Sequence, residues 1–429
     1  MKIAIIGSGI AGLSAAWLLG RQHEVSLFER HKSPGMGAFN LDVPAMNGET
    51  VRIDLPIRAF NRCHYRNLVK FYQLMGVEML RTDHAAAYSR PFDKAPFFAY
   101  HYIDIGERSI PRLAGLAQLS LKSARIMADA LRFLLTAKRH QRKGETKDQT
   151  IHAYLLSRKY SKSFREDVLL PSFAAIGTCS YEAIREYPAD TIIDFLANGM
   201  LFNGIWRAKA GADSAIAKML EHCSQQYCDS AVVSVRKRKN DAGQTVVMVT
   251  DNKGREFQFD HVVMAVQANQ VASILGDEEA ESVACLKTIA YERSEVLVHS
   301  DTNLAPGYKR NSPPVLFEID DQHDKPMASI CLNQLYPALE NAQPLFQTWN
   351  PLREPHPESL IGRAFFERPA VTLESLASIK RLSELQRSTD NVIWYSGSYA
   401  KPGIPLLESA LQSSMDIAVH LGVDIPWQH

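Results

Sequence analysis

The chain opens on MKIAIIGSGIAGLSAAWLLG, and no other stretch restricts its fold so tightly. Lys2 to Ile6 is a short apolar run, suited to a strand buried on both faces. Gly7-Ser8-Gly9-Ile10-Ala11-Gly12 is a complete GxGxxG, and Leu13 to Leu19 after it reads as a helix. Val25 to Phe28 predicts a second buried strand, closed by Glu29. That acid stands about 20 positions beyond the glycines, where a dinucleotide-binding unit carries its ribose-binding carboxylate. Gly7 allows a tight turn, Gly9 lets the backbone approach a pyrophosphate, and Gly12 lets the helix pack on the strand. The helix N-terminus offers free N–H groups and a positive dipole end to phosphates. Glu29 can accept from ribose hydroxyls, and its charge disfavours a 2′-phosphate. The same residues begin with a lysine and end in small residues, as a signal peptide does, but three glycines interrupt the apolar region. No other uninterrupted apolar stretch reaches about 20 residues, so no spanning helix is expected.

A chain of 429 residues exceeds one compact core, so two domains are expected, interleaved in sequence. A net charge of +1 provides no overall field for nucleic acid, and 46% hydrophobic with 22% charged residues is ordinary for a soluble enzyme. The six cysteines form no CxxC and no zinc spacing, which fits reduced thiols in a cytoplasmic protein without a metal site.

A Rossmann unit does not choose between NAD and FAD. The segments beyond it do. Pro34-Gly35-Met36-Gly37-Ala38 follows Glu29 and Arg30, then Val51-Arg52-Ile53-Asp54-Leu55-Pro56 leads into helical Tyr65 to Phe71. Asp167 to Pro171, Ala231 to Arg236, Phe259 to Val266, Asn350 to Pro355 and Trp394 to Tyr399 continue the pattern. On these motifs the chain resembles the flavin-containing amine oxidoreductase superfamily, most of all its bacterial predicted NAD/FAD-binding subgroup. The resemblance implies an α/β architecture. A Rossmann-like FAD-binding domain with a parallel sheet (1–60, 210–284 and 390–429) is interleaved with a substrate domain of helices and a mostly antiparallel sheet (61–209 and 285–389). It implies non-covalent FAD held by Gly7, Ser8, Gly9, Ile10, Ala11, Gly12, Glu29, Arg30, Gly37, Ala38, Ile57, Arg58, Val232, Ala265, Gly397, Ser398, Leu406 and Leu407. The C-terminal helix, from about Leu406 to Leu421 behind Pro405, would point its N-terminus at the flavin's pyrimidine edge, where a reduced ring carries negative charge.

The chain also departs from the subgroup. Met36 replaces the second glycine of a GG turn, Pro56 replaces a glycine expected to approach the flavin, and the motif at Lys401 to Leu411 is shortened and lacks an acidic pair. No lysine begins the strand Ser294 to His299, where amine oxidases of the superfamily often hold a water. With a single GxGxxG, electrons come from an organic substrate, or the flavin ends each turnover as it began. Candidate catalytic residues are Arg58, His64 and Lys401, and candidate pocket residues are Asn333 and Tyr399. The plainer readings are a loop arginine, a helix-start histidine, a surface lysine and packing residues.

From 113 to 139, Gln118, Lys122, Arg125, Asp129, Arg132 and Arg139 form one stripe at helical spacing on an otherwise apolar stretch that runs into Lys138-Arg139-His140-Gln141-Arg142-Lys143. This predicts either a buried helix with a solvated exit loop, or a peripheral contact through 113–143 with an anionic membrane at its inner face. The functional expectation is an FAD-dependent oxidoreductase, whether oxidase, desaturase or isomerase. It would move a hydride between a small-molecule C–H bond and flavin N5, the substrate being a hydrophobic acyl or unsaturated chain or an amine. The alternative is a flavin- or nucleotide-binding partner protein without turnover.

Overall fold

A computed structural model describes residues 1–46, 48–106, 108–197, 199, 202–276 and 279–428, apart from the side chain of Ala117. Strands β1 (Lys2–Ile6), β2 (Glu24–Phe28), β3 (Gln225–Tyr227), β4 (His261–Met264) and β5 (Ile393–Tyr395) form one sheet in the order β3-β2-β1-β4-β5. Every pairing in it is parallel. This is the dinucleotide-fold order, whose direction reverses between β1 and β4. Helices on both faces explain why β1 and β2 are continuous apolar runs rather than alternating ones.

Four helices frame the site: α1 (Ile10–Gly20), α2 (Arg66–Leu74), α3 (Leu121–Arg142) and α4 (Leu407–His420). From Ile10 to Leu19, α1 is buried on every side, as its lack of a polar face requires. Small residues let α4 pack tightly on it: the Ser14 and Ser414 hydroxyls lie 2.9 Å apart, and Ser414 Oγ is 2.7 Å from Ala11 O. Helix α2, in a stretch expected with the helical insert, shares its core with α1 and α4 through Leu68, Phe71 and Tyr72.

The second sheet has eight strands, in the order 360–369, 291–299, 346–349, 327–331, 315–318, 86–89, 98–105 and 108–113. Its pairings are antiparallel except for one, between Val315–Glu318 and Ala86–Ser89. Helices between residues 121 and 197 close over one face of it and share its core. The expected α/β architecture, a Rossmann-like parallel sheet with a separate, mostly antiparallel sheet, is the one found.

The stretch 113–139 departs from a single buried helix. Arg108–Leu113 is an edge strand and Leu116–Gln118 a short 3-10 turn. The helix begins only at Leu121, where the Ser120 hydroxyl accepts from Ser123 N at 3.1 Å. Gln118 is not on the helix at all; it is buried and donates to Pro96 O at 3.1 Å. Along α3 only Ser123, Ile126, Phe133 and Ala137 are fully buried, while Leu121, Leu131 and Leu135 are exposed. Among the described residues no helix is long and apolar enough to cross a membrane.

Candidate functional site

At the carboxyl ends of β1 and β4, where ligands bind in open parallel sheets, the turn leaves no slack. Gly7 has φ +100° and lies against Ala265 O, and a Cβ on Gly12 would overlap Gly7 O. Gly9 differs, with nothing within 4 Å of where its Cβ would stand. No side chain caps α1 at Gly9, so its first N–H groups are free for a ligand. Ser8 is buried and donates its hydroxyl to Glu29, and its Oγ accepts from Gly35 N at 2.6 Å. Glu29 is buried at the end of β2 and also accepts from Ser8 N at 3.1 Å and His31 N at 2.9 Å. Arg30 is exposed beside it. Val232 does not line the cavity that begins at the glycine turn; it packs in the core with Phe28, two residues beyond Ser230, whose N–H donates to Glu29 O at 2.9 Å.

One cavity of about 1000 Å³ begins at this turn. Its first part is lined by Gly9, Ile10, Ala11, Ala265, Gly397 and Ser398. Gly35 and Met36 line it, whereas Gly37 and Ala38 do not; Gly37 faces Asp213 of a neighbouring helix. Leu406 and Leu407, at the start of α4, line it too, and no side chain caps that helix. Two uncapped helix N-termini therefore face one cavity, and serines fix the second of them: Gly397 N donates to Ser413 Oγ at 3.0 Å, and Ser396 Oγ is 2.9 Å from it. Glu408, in the first turn of α4, is turned away to accept from Asn67 N at 3.1 Å and Leu68 N at 3.0 Å at the start of α2. Among the described residues no cluster of His, Cys, Asp and Glu is placed to hold a metal.

Ile57 and Arg58 also line the cavity. Gln347 of the eight-stranded sheet holds their loop, accepting from Ile57 N at 3.0 Å and donating to Asp54 O at 3.1 Å. The Arg58 guanidinium donates to Pro56 O at 3.1 Å and to Met36 O. It is deep in the protein, yet keeps accessible surface because it faces the cavity. Burial lowers its pKa, and Asp54 opposes that shift. The sequence reading missed a second deep cation, Arg368. Strand alternation sets it on the same face as the buried Ala364 and the half-buried Phe366. Burial again lowers its pKa and repulsion from Arg58 adds to the shift; among the described residues its one hydrogen bond is a long 3.4 Å contact to Ile176 O, and its guanidinium lies 5.7 Å from the centre of the Trp349 ring. A guanidinium carries five donors, and those of Arg368 meet the cavity with no ion pair to any described residue. The two carboxylates that line the cavity, Asp83 and Glu367, are exposed. The remaining wall is chiefly apolar, with Phe98, Ile126, Phe133, Phe173, Phe195 and Phe317 among its residues.

Three candidates are corrected. Asn333 does not face the cavity; it donates to Leu339 O at 2.7 Å and accepts from Leu345 N at 2.7 Å, so it staples its own loop. Lys401 pairs with Asp416 at 2.5 Å, away from the main cavity. His64 packs its ring edge-on to Phe195 at 4.7 Å without reaching the cavity, and burial lowers its pKa to about 4, which leaves it a poor proton donor near neutrality. Tyr399 does line the cavity, and its hydroxyl is buried with no hydrogen-bond partner among the described residues. Its ring lies against Gly397, which has no room for a Cβ.

Residues 5–74 match the model of the NAD(P)-binding Rossmann-like domain. No curated protein matches the sequence. Solved structures resemble the chain over almost its full length. Putrescine oxidase bound to putrescine is 11% identical, covers 98% of this chain and 99% of its own, and superposes with a TM-score of 0.65. A CLA-producing fatty acid isomerase from P. acnes is 12% identical, with 98% of each chain covered and a TM-score of 0.65. An oxidoreductase from Methanosarcina mazei is 13% identical, with 97% of this chain and 100% of that one covered and a TM-score of 0.64. At such identities the likeness is one of fold, and it extends to both sheets.

Proposed function

We propose that the protein is an FAD-dependent oxidoreductase of the flavin amine oxidoreductase superfamily, acting on an apolar chain with an anionic end. The observation that carries this reading is the single cavity running from the glycine turn, past two uncapped helix N-termini, into a chiefly apolar chamber with two deep arginines. The open space at Gly9 and the cavity volume fit a dinucleotide with a planar head. Gly9, Ile10 and Ala11 would hold the pyrophosphate, Glu29 the ribose, and Leu406 and Leu407 the ring's electron-rich edge. Non-covalently bound FAD supplies a hydride acceptor at N5.

The chain's own residues bind, orient and exclude water. Aromatic walls desolvate an apolar chain and hold its reacting carbon in place. Arg58 and Arg368 attract a carboxylate or similar anion and repel an ammonium, which favours an acyl or unsaturated chain over an amine. Hydride removal from an activated carbon of the chain would be balanced by loss of a neighbouring proton to a lining base or to water or, in an isomerisation, by return of the hydride to another carbon. The bound state is tested by denaturing extraction with mass spectrometry and by anaerobic bleaching with unsaturated fatty acids against di- and polyamines. Bleaching by the fatty acids alone is expected. A protein that takes up no FAD overturns the reading. One whose FAD is reduced by dithionite but by no metabolite is a partner protein without turnover.

A further inference from the structure

We propose that the mouth of the cavity is a docking face for an anionic lipid bilayer, so that substrate enters from the membrane rather than from water. Nine large hydrophobic side chains between residues 103 and 135 are exposed, and Phe202 beside them makes a tenth. Ile103 and Ile110 face each other across the edge hairpin, and Phe202 O accepts from Ser109 N at 2.9 Å. The chain then passes through exposed Leu116 and Leu119 to α3, where Leu121, Leu131 and Leu135 are 92%, 56% and 71% exposed. Ile110, Met127, Leu131 and Phe202 are exposed and line the cavity as well, so the apolar patch and the cavity rim are one surface. A soluble protein rarely leaves so many large apolar groups contiguous in water.

Charge selects the occupant. Residues 103 to 143 carry nine Lys and Arg against three Asp and Glu. Lys122, Arg132 and Lys138 pair with Asp167, Asp129 and Asp194. Arg108, Arg112, Arg125, Arg139 and Arg142 have no ion pair to any described residue. On α3 the exposed face runs Leu121, Ala124, Ala128, Leu131, Leu135, with Arg125, Arg132 and Arg139 along one side and Arg142 at its end. An apolar face edged by arginines, of which Arg125, Arg139 and Arg142 have no ion pair to any described residue, inserts shallowly among acyl chains while its cations meet anionic headgroups. A partner protein with an apolar groove would not need the arginines, and a second copy would set them against one another.

This inference stands whether or not the cavity holds FAD, because lipid binding is read directly. The full chain is mixed with vesicles of phosphatidylglycerol and phosphatidylcholine, or of phosphatidylcholine alone, and floated on a density gradient. At least tenfold stronger binding to the anionic vesicles is expected, weakening as salt rises. Leu131→Glu with Leu135→Glu, and separately Arg125→Glu with Arg139→Glu, should each lower binding at least tenfold, and both replace exposed side chains that hold no core together. As a fold-neutral measurement, the indole of L135W should be quenched by brominated acyl chains. No binding, equal binding to both vesicle types, or full binding by the leucine variants would overturn the proposal. So would a dimer in solution that L131E dissociates, which would make the face a protein interface.

Discussion

The glycine turn and the cavity lobe reach their shapes by opposite means. Backbone holds the turn: Gly7, Gly12 and Ala265 touch through main-chain atoms, and a single methyl group cannot be added at Gly12. Side-chain bulk holds the lobe, with Phe133, Phe173, Phe195 and Phe317 bounding a volume that many sequences could enclose. The first therefore tolerates little change and serves one kind of ligand. The second can alter its substrate by altering a few rings.

The sharpest way to break this contrast lies in the turn. Gly12→Ala should cost the fold more than about 3 kcal/mol, because a Cβ there meets the rigid Gly7 carbonyl and α1 must move. Thermal unfolding and cofactor content should fall together. Gly9→Ala is its control, since only open space lies beyond that residue. It should leave the melting temperature of the cofactor-free protein unchanged while weakening dinucleotide binding at least tenfold. Equal unfolding by both variants would show that the glycines serve packing alone.

Acid should loosen the lobe first. His299 is fully buried in the second sheet; Asp301 N donates to its Nδ1 at 3.1 Å, and its Nε2 lies 2.7 Å from the Thr348 hydroxyl. Burial lowers the pKa of both His299 and His64 from 6.5 to about 4. Between those values the unfolded chain binds protons that the folded chain refuses. Their contribution is complete above about pH 6.5 and declines as pH falls toward 4, with an upper bound of about 3 kcal/mol for His299. Protection factors, corrected for the intrinsic fall of amide exchange with pH, should therefore drop in Tyr291–His299 before they drop in β1 as pH falls from 7 to 4.5. His299→Gln should flatten the profile. Protection lost first in β1 would reverse the assignment.

A smaller effect is expected within the core that α1, α2 and α4 share on the side of the turn. Glu408→Gln removes a buried carboxylate that caps α2 from the start of α4 and should cost about 2 kcal/mol. Thermal melts should show that loss, and cofactor affinity should fall less than it does in Gly9→Ala. A larger effect on affinity than on melting would move Glu408 into the cofactor site.

These differences also set how much could be read in advance. The turn was legible because its requirements are local: GxGxxG, two apolar runs and an acid fall within thirty residues. The terminal helix was legible from Pro405 and its apolar spacing, and Tyr399 from its motif. Asn333 misled because a polar residue after a strand serves a loop as readily as a ligand, and only the positions of Leu339 and Leu345 decide which. Lys401 misled in the same way, its charge answered by Asp416 one helix away. Arg368 left a signal, an arginine on the apolar face of a strand, but a lone break in alternation does not say that a cavity lies opposite. The exposed leucines of α3 were hidden because apolar spacing gives the face of a helix and not what covers it.

The smallest expected effect on stability tests the lobe's remaining exception. Among the described residues no carboxylate pairs with Arg368, and a 3.4 Å contact to Ile176 O and the Trp349 ring, 5.7 Å from its guanidinium, return only part of the cost of burying its charge. A methionine would fill similar space without that cost, and replacing buried charges by apolar groups is often neutral or stabilising. Arg368→Met should thus leave the melting temperature unchanged or raise it slightly. If the arginine is kept for an anionic ligand, the variant should lose most of the stabilisation that a fatty acid gives the parent protein, while an uncharged alkane of equal length stabilises both alike. Loss of stability without ligand would instead make Arg368 a structural residue, and the cavity would then be held by polar contacts after all.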